Sequence, residues 1–293
     1  MKVAVAKHVV GAPVDFAVFA DRQRRELVAL AAQRVDVAVL PEYLSLELGA
    51  TFAPELSGDL HASLHAIQRH RDDWMALFSS IARDTGMLVA AGTFLLDDGA
   101  GRYRNRCDLF SPEGRHAWQD KLQLTGFEKK TGVIDGGDAL KVFEHRGVRI
   151  GVAVCYDSEF PLPVRAQCEA GMRLLLVPSC TDTDAGATRV RVGCLARALE
   201  NRCFVAQSVT AGEAPWSPAL DVNTGEATVY APMDVGLPAD GIVAGTTGDG
   251  GWAIAELDFE TLDASRASAQ VANDRDWPGQ CVPAISRAGV EKL

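Results

Sequence analysis

The sequence near its midpoint reads Val148-Arg149-Ile150-Gly151-Val152-Ala153-Val154-Cys155-Tyr156-Asp157, an apolar strand that ends in a cysteine. A helix-compatible stretch follows it. At such a strand-to-helix turn a thiol can be accessible, and the positive end of the helix dipole can stabilise its thiolate. The Tyr156 N–H beside it can serve as an oxyanion donor. The pattern therefore predicts a buried strand and makes Cys155 a candidate nucleophile, with an inert core thiol as the alternative.

Similar short apolar runs recur on both sides of this stretch, and helical patterns lie between several of them. The predicted strands are Val3–Val10, Val35–Leu40, Leu88–Leu96, Val148–Val154, Leu174–Val177 and Phe204–Val209. The predicted helices are Phe16–Gln33, about Leu60–Thr85 ending at Gly86, Leu162–Ala170 and Thr188–Asn201. This rhythm is typical of βαβ units and predicts an alternating α/β fold.

Domain organisation shows no internal boundary. Residues 211–247 change to Pro, Gly and Asp with isolated apolar residues, which indicates loops and short strands rather than a linker. We therefore predict one domain over residues 1–293, in which about 260–293 form an irregular C-terminal tail that needs a surface to lie on.

Composition and charge exclude several classes of function. The formal charge is -10 and no Lys/Arg block occurs, so nucleic acid is not an expected partner. No apolar run approaches the ~20 residues of a membrane span, and the first residues have too short an apolar stretch for a signal sequence, so we expect a cytoplasmic protein. Seven cysteines without a C-x-x-C pair indicate neither a disulfide framework nor a zinc site.

Two further charged side chains follow apolar or strand-like segments. Glu42 comes directly after Val37-Ala38-Val39-Leu40-Pro41, and Lys121 begins the segment Lys121-Leu122-Gln123-Leu124-Thr125-Gly126-Phe127-Glu128. Groups at the carboxyl ends of strands converge on the ligand crevice of an α/β sheet. Taken singly, each would be read as a solvated charge, and only a shared site gives them a chemical role.

A histidine partner for the cysteine is the main chemical alternative. All six histidines precede Cys155, which excludes the papain chain order and leaves the caspase order open. His61 and His65 lie one helical turn apart, but no acidic third ligand accompanies them in a known spacing, so no metal is expected.

Together, the three segments resemble the nitrilase, or carbon–nitrogen hydrolase, superfamily. The matching motifs are Leu40-Pro41-Glu42, Lys121-Leu122 with Glu128, and Gly151-Val152-Ala153-Val154-Cys155-Tyr156-Asp157, supported by Phe160-Pro161, Val177-Pro178-Ser179 and Ala196-Arg197-Ala198-Leu199-Glu200-Asn201. The resemblance implies a four-layer α-β-β-α sandwich with two mixed sheets. It also implies a homodimer or larger homo-oligomer that acts on a small amide-like molecule without a cofactor.

The resemblance also implies site roles. Glu42 is expected to move protons, Cys155 to form a thioester, and Lys121 with the Tyr156 N–H to stabilise the oxyanion. Glu128 is expected to hold Lys121 and touch substrate, and Ser179 to support the site.

The chain differs from relatives that act on acidic amides at the position four residues after the nucleophile. Those relatives tend to carry Arg there. Here that position is Glu159, so a neutral or amine-bearing amide is favoured. The alternative is that Glu159 points away into a salt bridge at a helix start. A nitrilase, an N-carbamoyl amidohydrolase and a catalytically idle scaffold of the same fold are the competing functions.

Overall fold

A computed structural model describes residues 1–269 and 271–292, whose strands form two mixed sheets. The strands are β1 Lys2–Val9, β2 Val37–Leu40, β3 Leu88–Gly99, β4 Arg102–Phe110, β5 His116–Asp120, β6 Ile134–Asp135, β7 Val142–His145, β8 Val148–Val152, β9 Leu174–Ser179, β10 Phe204–Glu213, β11 Val222–Asn223, β12 Thr228–Tyr230, β13 Ile242–Gly245 and β14 Gly251–Glu256.

The first sheet runs β5-β4-β3-β2-β1, with β14 antiparallel on the other edge of β1. Its β1, β2 and β3 are parallel, whereas β4 and β5 are antiparallel. The second sheet runs β7-β8-β9-β10-β12-β13, with β8, β9 and β10 parallel. The last residues of β1, Lys7 to Val9, pair with β10 and so join the two sheets.

The helices cover the outer faces of both sheets. They are α1 Phe16–Ala32, α2 Pro54–Ser57, α3 Leu60–Ile67, α4 Arg71–Thr85, α5 Gly126–Thr131, α6 Pro161–Glu169, α7 Asp184–Asn201, α8 Phe259–Ser268 and α9 Asn273–Asp276. None of the helices in the described part of the chain is long and apolar enough to cross a lipid bilayer.

Alternation along the strands produces the layers. On β1, Val3 and Val5 join the core that includes the second sheet, whereas Ala4 and Ala6 join the core that includes Phe19 of α1. Successive side chains of a strand point to opposite faces, so each central strand packs on two layers. The predicted α-β-β-α sandwich is confirmed.

Two predicted helices have different bounds in the structure. The segment predicted as one helix from Leu60 to Thr85 is two helices separated by a 3-10 turn, where the Gln68 side chain donates to the Leu64 carbonyl at 2.8 Å and ends α3. The predicted stop at Gly86 is present, with φ of 70°. Helix α7 starts four residues earlier than predicted because the Thr183 hydroxyl accepts from the Gly186 N–H.

The C-terminal segment is more regular than predicted. Residues 259–268 form helix α8, whose first turn is capped by Asp258 and whose Leu262 is fully buried. The prediction of an irregular tail from about residue 260 is wrong for this helix. Beyond it, Trp277 packs under the Arg165 guanidinium of α6 at 5.0 Å, while Gln270 and Leu293 lie outside the described residues.

Candidate active site

Glu42 is held at the end of β2 by a tight turn. Its neighbour Tyr43 has φ of 60°, and the Tyr43 N–H donates to the Thr93 hydroxyl at 2.8 Å. Gly92, with φ of +68°, lets β3 approach, because a Cβ there would lie 2.2 Å from the Pro41 carbonyl oxygen. The backbone around Glu42 is therefore fixed on both sides, and the side chain is 1% exposed.

Lys121 follows the last residue of β5 and is as deeply buried as Glu42. Its backbone N–H donates to the Asn105 carbonyl at 2.9 Å, and its own carbonyl accepts from the Gly137 N–H at 2.7 Å. The side chain reaches two carboxylates: Nζ lies 2.8 Å from Glu42 Oε1 and 2.8 Å from Glu128 Oε2.

Glu128 serves both a helix and the site. It is the third residue of α5, where Thr125 and Glu128 form a reciprocal capping box: the Glu128 N–H donates to the Thr125 hydroxyl and the Thr125 N–H donates to Glu128 Oε2. The capping box explains why the carboxylate is held in place beside Lys121.

Cys155 stands at a strained turn between β8 and a 3-10 helix over Cys155–Glu159. Its φ is 48°, in the left-handed region that L-residues rarely adopt. The Ser158 hydroxyl donates to the Cys155 carbonyl at 2.7 Å, and the Cys155 sulfur lies 3.4 Å from the Cys180 carbonyl oxygen. This turn holds the thiol at the floor of a cavity rather than inside a strand.

Asp157 connects the cysteine turn to the lysine loop. Its carboxylate accepts from the backbone N–H groups of Val154, Leu122 and Gln123, the last at 2.7 Å. Burial raises the pKa of Asp157 to about 6, while these three donors favour its charged form. A role for Asp157 is not predictable from the sequence, because it depends on a loop distant in the chain.

Tyr43 and Asn105, which the sequence motifs do not predict, complete the buried cluster of polar side chains. The Tyr43 hydroxyl donates to Glu128 Oε1 at 2.8 Å, and the Asn105 amide donates to both Glu42 Oε1 and Glu128 Oε1. A signal for Asn105 exists: in β4 it shares the inward phase of Tyr103 and Cys107, where a polar residue is unusual.

The two carboxylates differ in their proton affinity. Burial raises the pKa of Glu42, and the nearby Glu128 charge adds to it, against the opposing effect of Lys121. Burial acts on Glu128 too, but Lys121 and hydrogen bonds from Thr125 and Tyr43 outweigh it and lower the pKa of that carboxyl. Glu128 is thus a fixed counterion, whereas Glu42 is the more basic of the two.

The cation and the thiol respond to the same surroundings. Burial opposes the charge on Lys121, but Glu42 and Glu128 outweigh burial and hold its pKa above the ordinary value. Burial and the Glu42 charge raise the pKa of Cys155 well above the usual range. These shifts favour a neutral Cys155 thiol and a charged Lys121 ammonium.

A cavity of about 290 Å³ opens above these groups. Among the residues predicted from the sequence, those that line it are Glu42, Lys121, Cys155, Tyr156 and Glu159. Glu128 lies behind Lys121 and does not line it. Ser179 does not line it either: it is fully buried and its hydroxyl donates to the Val177 carbonyl, so its position gives no support for substrate contact.

The outer wall of the cavity carries partly exposed charges. Glu159 Oε1 lies 3.6 Å from Arg189 Nε of α7, with side chains 23% and 63% exposed. Asp182 and Asp221 also line this wall. The two interpretations of Glu159 are not exclusive, because it faces the cavity and also has an ion-pair partner. It is the last residue of the 3-10 helix and lies just before α6, which begins at Pro161.

Neither the histidines nor the buried thiols Cys107, Cys194 and Cys203 line the cavity. All six histidines lie in the described ranges and none lines the cavity. His8 instead pairs with Glu47 at 2.6 Å, and His116 with Asp108 at 2.9 Å. Of the remaining cysteines, Cys180 lines the cavity and Cys281 is exposed.

The family model described as "Carbon-nitrogen hydrolase" matches residues 15–267. The chain belongs to the carbon-nitrogen hydrolase family. The family predicted from the motifs, and with it the prediction of an enzyme of this family, is confirmed.

Curated relatives of this family member include two kinds of protein. The chain is 29% identical over 263 residues to the probable hydrolase YhcX of Bacillus subtilis, covering 89% of this chain and 50% of that protein. It is 26% identical over 219 residues to omega-amidase NIT2-B of Xenopus laevis, covering 71% of this chain and 73% of that one. The chain thus spans half the length of YhcX.

Solved structures of carbon-nitrogen hydrolases share the fold. Nit3 of Saccharomyces cerevisiae, a member of branch 10 of the nitrilase superfamily, gives a TM-score of 0.73 at 19% identity, covering 94% of this chain and 96% of that one. An amidase from Nesterenkonia sp. AN1, in complex with butyramide, gives a TM-score of 0.68 at 22% identity, covering 92% and 95%.

Proposed function

We propose that this protein hydrolyses the C–N bond of a small neutral or amine-bearing amide through a thioester on Cys155, with Glu42 as acid and base and Lys121 as the cation. One observation carries the proposal: Glu42, Lys121 and Cys155 line the same cavity, with Lys121 Nζ 2.8 Å from Glu42. A buried carboxylate, ammonium and thiol in mutual reach are costly to keep unless they act together.

The first half of the reaction forms the thioester. The Cys155 sulfur attacks the carbonyl carbon while the thiol proton passes to Glu42. Lys121 and the Tyr156 N–H stabilise the oxyanion of the tetrahedral intermediate. Glu42 then gives its proton to the nitrogen, the C–N bond breaks, and the amine leaves.

The second half releases the acid. A water molecule attacks the thioester carbon while Glu42 takes one of its protons. The tetrahedral intermediate collapses, the C–S bond breaks, and Glu42 returns the proton to sulfur. Each proton that Glu42 accepts is therefore returned, and Glu128 serves throughout as the counterion that keeps Lys121 in place.

Cavity size and charge support a small substrate. About 290 Å³ is at the low end for binding pockets, and the wall includes apolar groups of Phe127 and Val190. Butyramide bound to the Nesterenkonia amidase is a neutral amide of this size class. Glu159, Asp182 and Asp221 outnumber Arg189 on the outer wall, which supports an amine-bearing amide over an acidic one.

A nitrilase or an N-carbamoyl amidohydrolase would use the same residues, and the choice depends on the acyl group offered. Ammonia release from matched amides, nitriles and N-carbamoyl compounds separates these reactions. We expect the highest kcat/KM with amides. Cys155→Ser and Glu42→Gln should abolish release, whereas Cys194→Ser, at a buried thiol outside the cavity, should retain it. Turnover by Cys155→Ser equal to that of the wild type would overturn the proposal.

Cys155 should also be the thiol on which the reaction depends. Because Cys281 is exposed, limiting iodoacetamide is best applied to a Cys281→Ser background. We expect one dominant adduct at Cys155, and loss of activity in step with it. The second cavity thiol, Cys180, should label slowly because burial raises its pKa to about 12 and its sulfur contacts the neutral Asn223 amide oxygen, whereas the Cys155 thiol can lose its proton to Glu42. Dominant labelling of Cys180 would contradict the assignment.

A homo-oligomeric, cytoplasmic enzyme remains part of the proposal. Exposed apolar side chains on α6 and α7, such as Leu162 and Val192, support helix-mediated association. All seven cysteines are free, which fits a reducing compartment.

A further inference from the structure

Asn105 occupies an unusual place beneath the cavity. It is fully buried on β4, and its Nδ2 lies 2.8 Å from Glu42 Oε1 and 3.1 Å from Glu128 Oε1. Its own Oδ1 is buried and has no hydrogen-bond partner among the described residues. One amide thus donates to both carboxylates of the site and leaves its acceptor unused.

The orientation of this amide follows from charge. Rotating the amide by 180° would place Oδ1 against two carboxylate oxygens, which is repulsive, so the NH₂ group must face Glu42 and Glu128. Both contacts of Nδ2 are with carboxylate oxygens, and hydrogen bonds to charged groups are stronger than those between neutral groups. The arrangement indicates that donation to the carboxylates is the function of this residue.

Donation to Glu42 is selective for one oxygen. Lys121 Nζ and Asn105 Nδ2 both contact Oε1, each at 2.8 Å. Neither of these two donors therefore occupies Oε2. The backbone carbonyl of Asn105 accepts from the Lys121 backbone N–H at 2.9 Å. The same residue therefore aligns Lys121 with the Glu42 carboxylate.

We propose that Asn105 is a positioning residue whose amide occupies Oε1 of Glu42, so that Oε2 is the atom that exchanges the proton with Cys155 and with the leaving nitrogen. The inference rests on the proposed function, since it takes Glu42 to be the base. It adds a neutral donor to the Glu-Lys-Cys arrangement, which stabilises the ionised base without bringing a further charge.

The groups around Glu42 determine the direction in which its pKa should shift when the Asn105 donor is lost. The titratable groups that face it from all packed elements are Lys121, Glu128, Tyr43, Cys155 and Cys180. Burial already raises the pKa of Glu42. Loss of the Asn105 donor removes one hydrogen bond that favours the charged form of this carboxyl. The pKa of Glu42 should rise further, and the acid limb of the pH profile should move to higher pH.

The test uses two variants, Asn105→Leu, which keeps the approximate shape, and Asn105→Ser, which keeps a shorter donor. Asn201→Leu is the matched control, because Asn201 is equally buried but donates only to the Arg197 carbonyl. Two readouts are needed: kcat/KM for the best amide against pH, and the rate of iodoacetamide alkylation of Cys155 against pH, which requires no substrate.

We expect the acid limbs of both profiles to move up by about one pH unit in Asn105→Leu, by less in Asn105→Ser, and not at all in Asn201→Leu. If kcat falls in both Asn105 variants but the acid limbs of their pH profiles stay where they are in the wild type, the inference is overturned. Glu42→Gln separates the two hypotheses: if its alkylation profile matches that of the wild type, Glu42 is not the base and the proposed function fails. If Glu42→Gln removes the limb but the Asn105 variants do not shift it, only the role of Asn105 fails.

Discussion

The floor of the cavity, which carries Glu42, Lys121 and Cys155, buries its charged groups. The outer wall, which carries Glu159 and Arg189, leaves its charged groups partly exposed. On the floor, Lys121 and Glu42 are 1% exposed and 2.8 Å apart. On the wall, Glu159 and Arg189 are 23% and 63% exposed and 3.6 Å apart. Water screens the wall but not the floor, so each floor contact has one geometry, whereas the wall pair can separate at little cost. Under the proposed function, we therefore expect the floor to fix the geometry of the chemical step and the wall to influence the choice of substrate.

Removing the floor cation should have the largest effect of all. Lys121→Met leaves Glu42 and Glu128 buried without their counterion, so we expect a loss of about 3–5 kcal/mol in the free energy of unfolding. Activity should fall by about 10²–10³-fold or more because the oxyanion loses a donor. Urea denaturation and amide hydrolysis measure the two losses.

The pH dependence of that loss has a definite sign. Without Lys121 the pKa of Glu42, already raised, should rise further, and that of Glu128 should rise above its unfolded value. The folded variant then takes up protons as the pH falls, so its stability deficit shrinks. We expect a smaller stability difference from wild type at pH 5 than at pH 8. Lys130→Met, at an exposed lysine of α5, should change stability little at either pH. A deficit that grows on acidification would show that the carboxylates are not what Lys121 stabilises.

An intermediate effect is expected where the backbone supports the floor. Gly92 and Gly86 have nearly the same φ, +68° and +70°, but only Gly92 would place a Cβ against backbone, 2.2 Å from the Pro41 oxygen. Both Gly→Ala changes carry the strain of a positive φ, about 1–2 kcal/mol. Gly92→Ala should cost roughly 1–3 kcal/mol more and should lower kcat, because the turn that holds Glu42 must move. Equal thermal shifts and full activity in both variants would contradict this.

The same contrast explains what could be predicted from the sequence. The proposed base and nucleophile follow strands whose apolar character is visible in Val37–Leu40 and Val148–Val152. The family resemblance adds the expected roles of both residues and of Lys121. Asp157 and Tyr43 could not be predicted because the Leu122 and Gln123 donors to Asp157 and the Glu128 acceptor of Tyr43 lie 34 or more residues away along the chain. Arg189 was missed because an exposed helical arginine carries no signal until α7 is placed beside the cavity.

The wall should give the smallest and most selective effect. Replacing Glu159 by Arg would remove a carboxylate that faces the cavity and leave Arg189 without its partner, so the wall would gain two units of positive charge. An omega-amide of a dicarboxylic acid should then be hydrolysed with about three- to tenfold higher kcat/KM, and an amine-bearing amide with a correspondingly lower value, as expected for partly exposed charges. Butyramide should be affected little, because it has no distal charge.

Three measurements decide whether the charged residues of the outer wall select substrates by their distal charge. The rate of Cys155 alkylation should be unchanged in Glu159→Arg, since the floor is not altered. Added salt should reduce the change in selectivity, because exposed charges are screened, but should leave the rate with butyramide nearly constant. Arg189→Gln should move selectivity in the opposite direction, because it frees Glu159 to meet a distal ammonium. If the wild type already prefers the carboxylate-bearing amide, and Arg189→Gln abolishes that preference, then Arg189 rather than Glu159 selects the substrate, and Glu159 serves to position it.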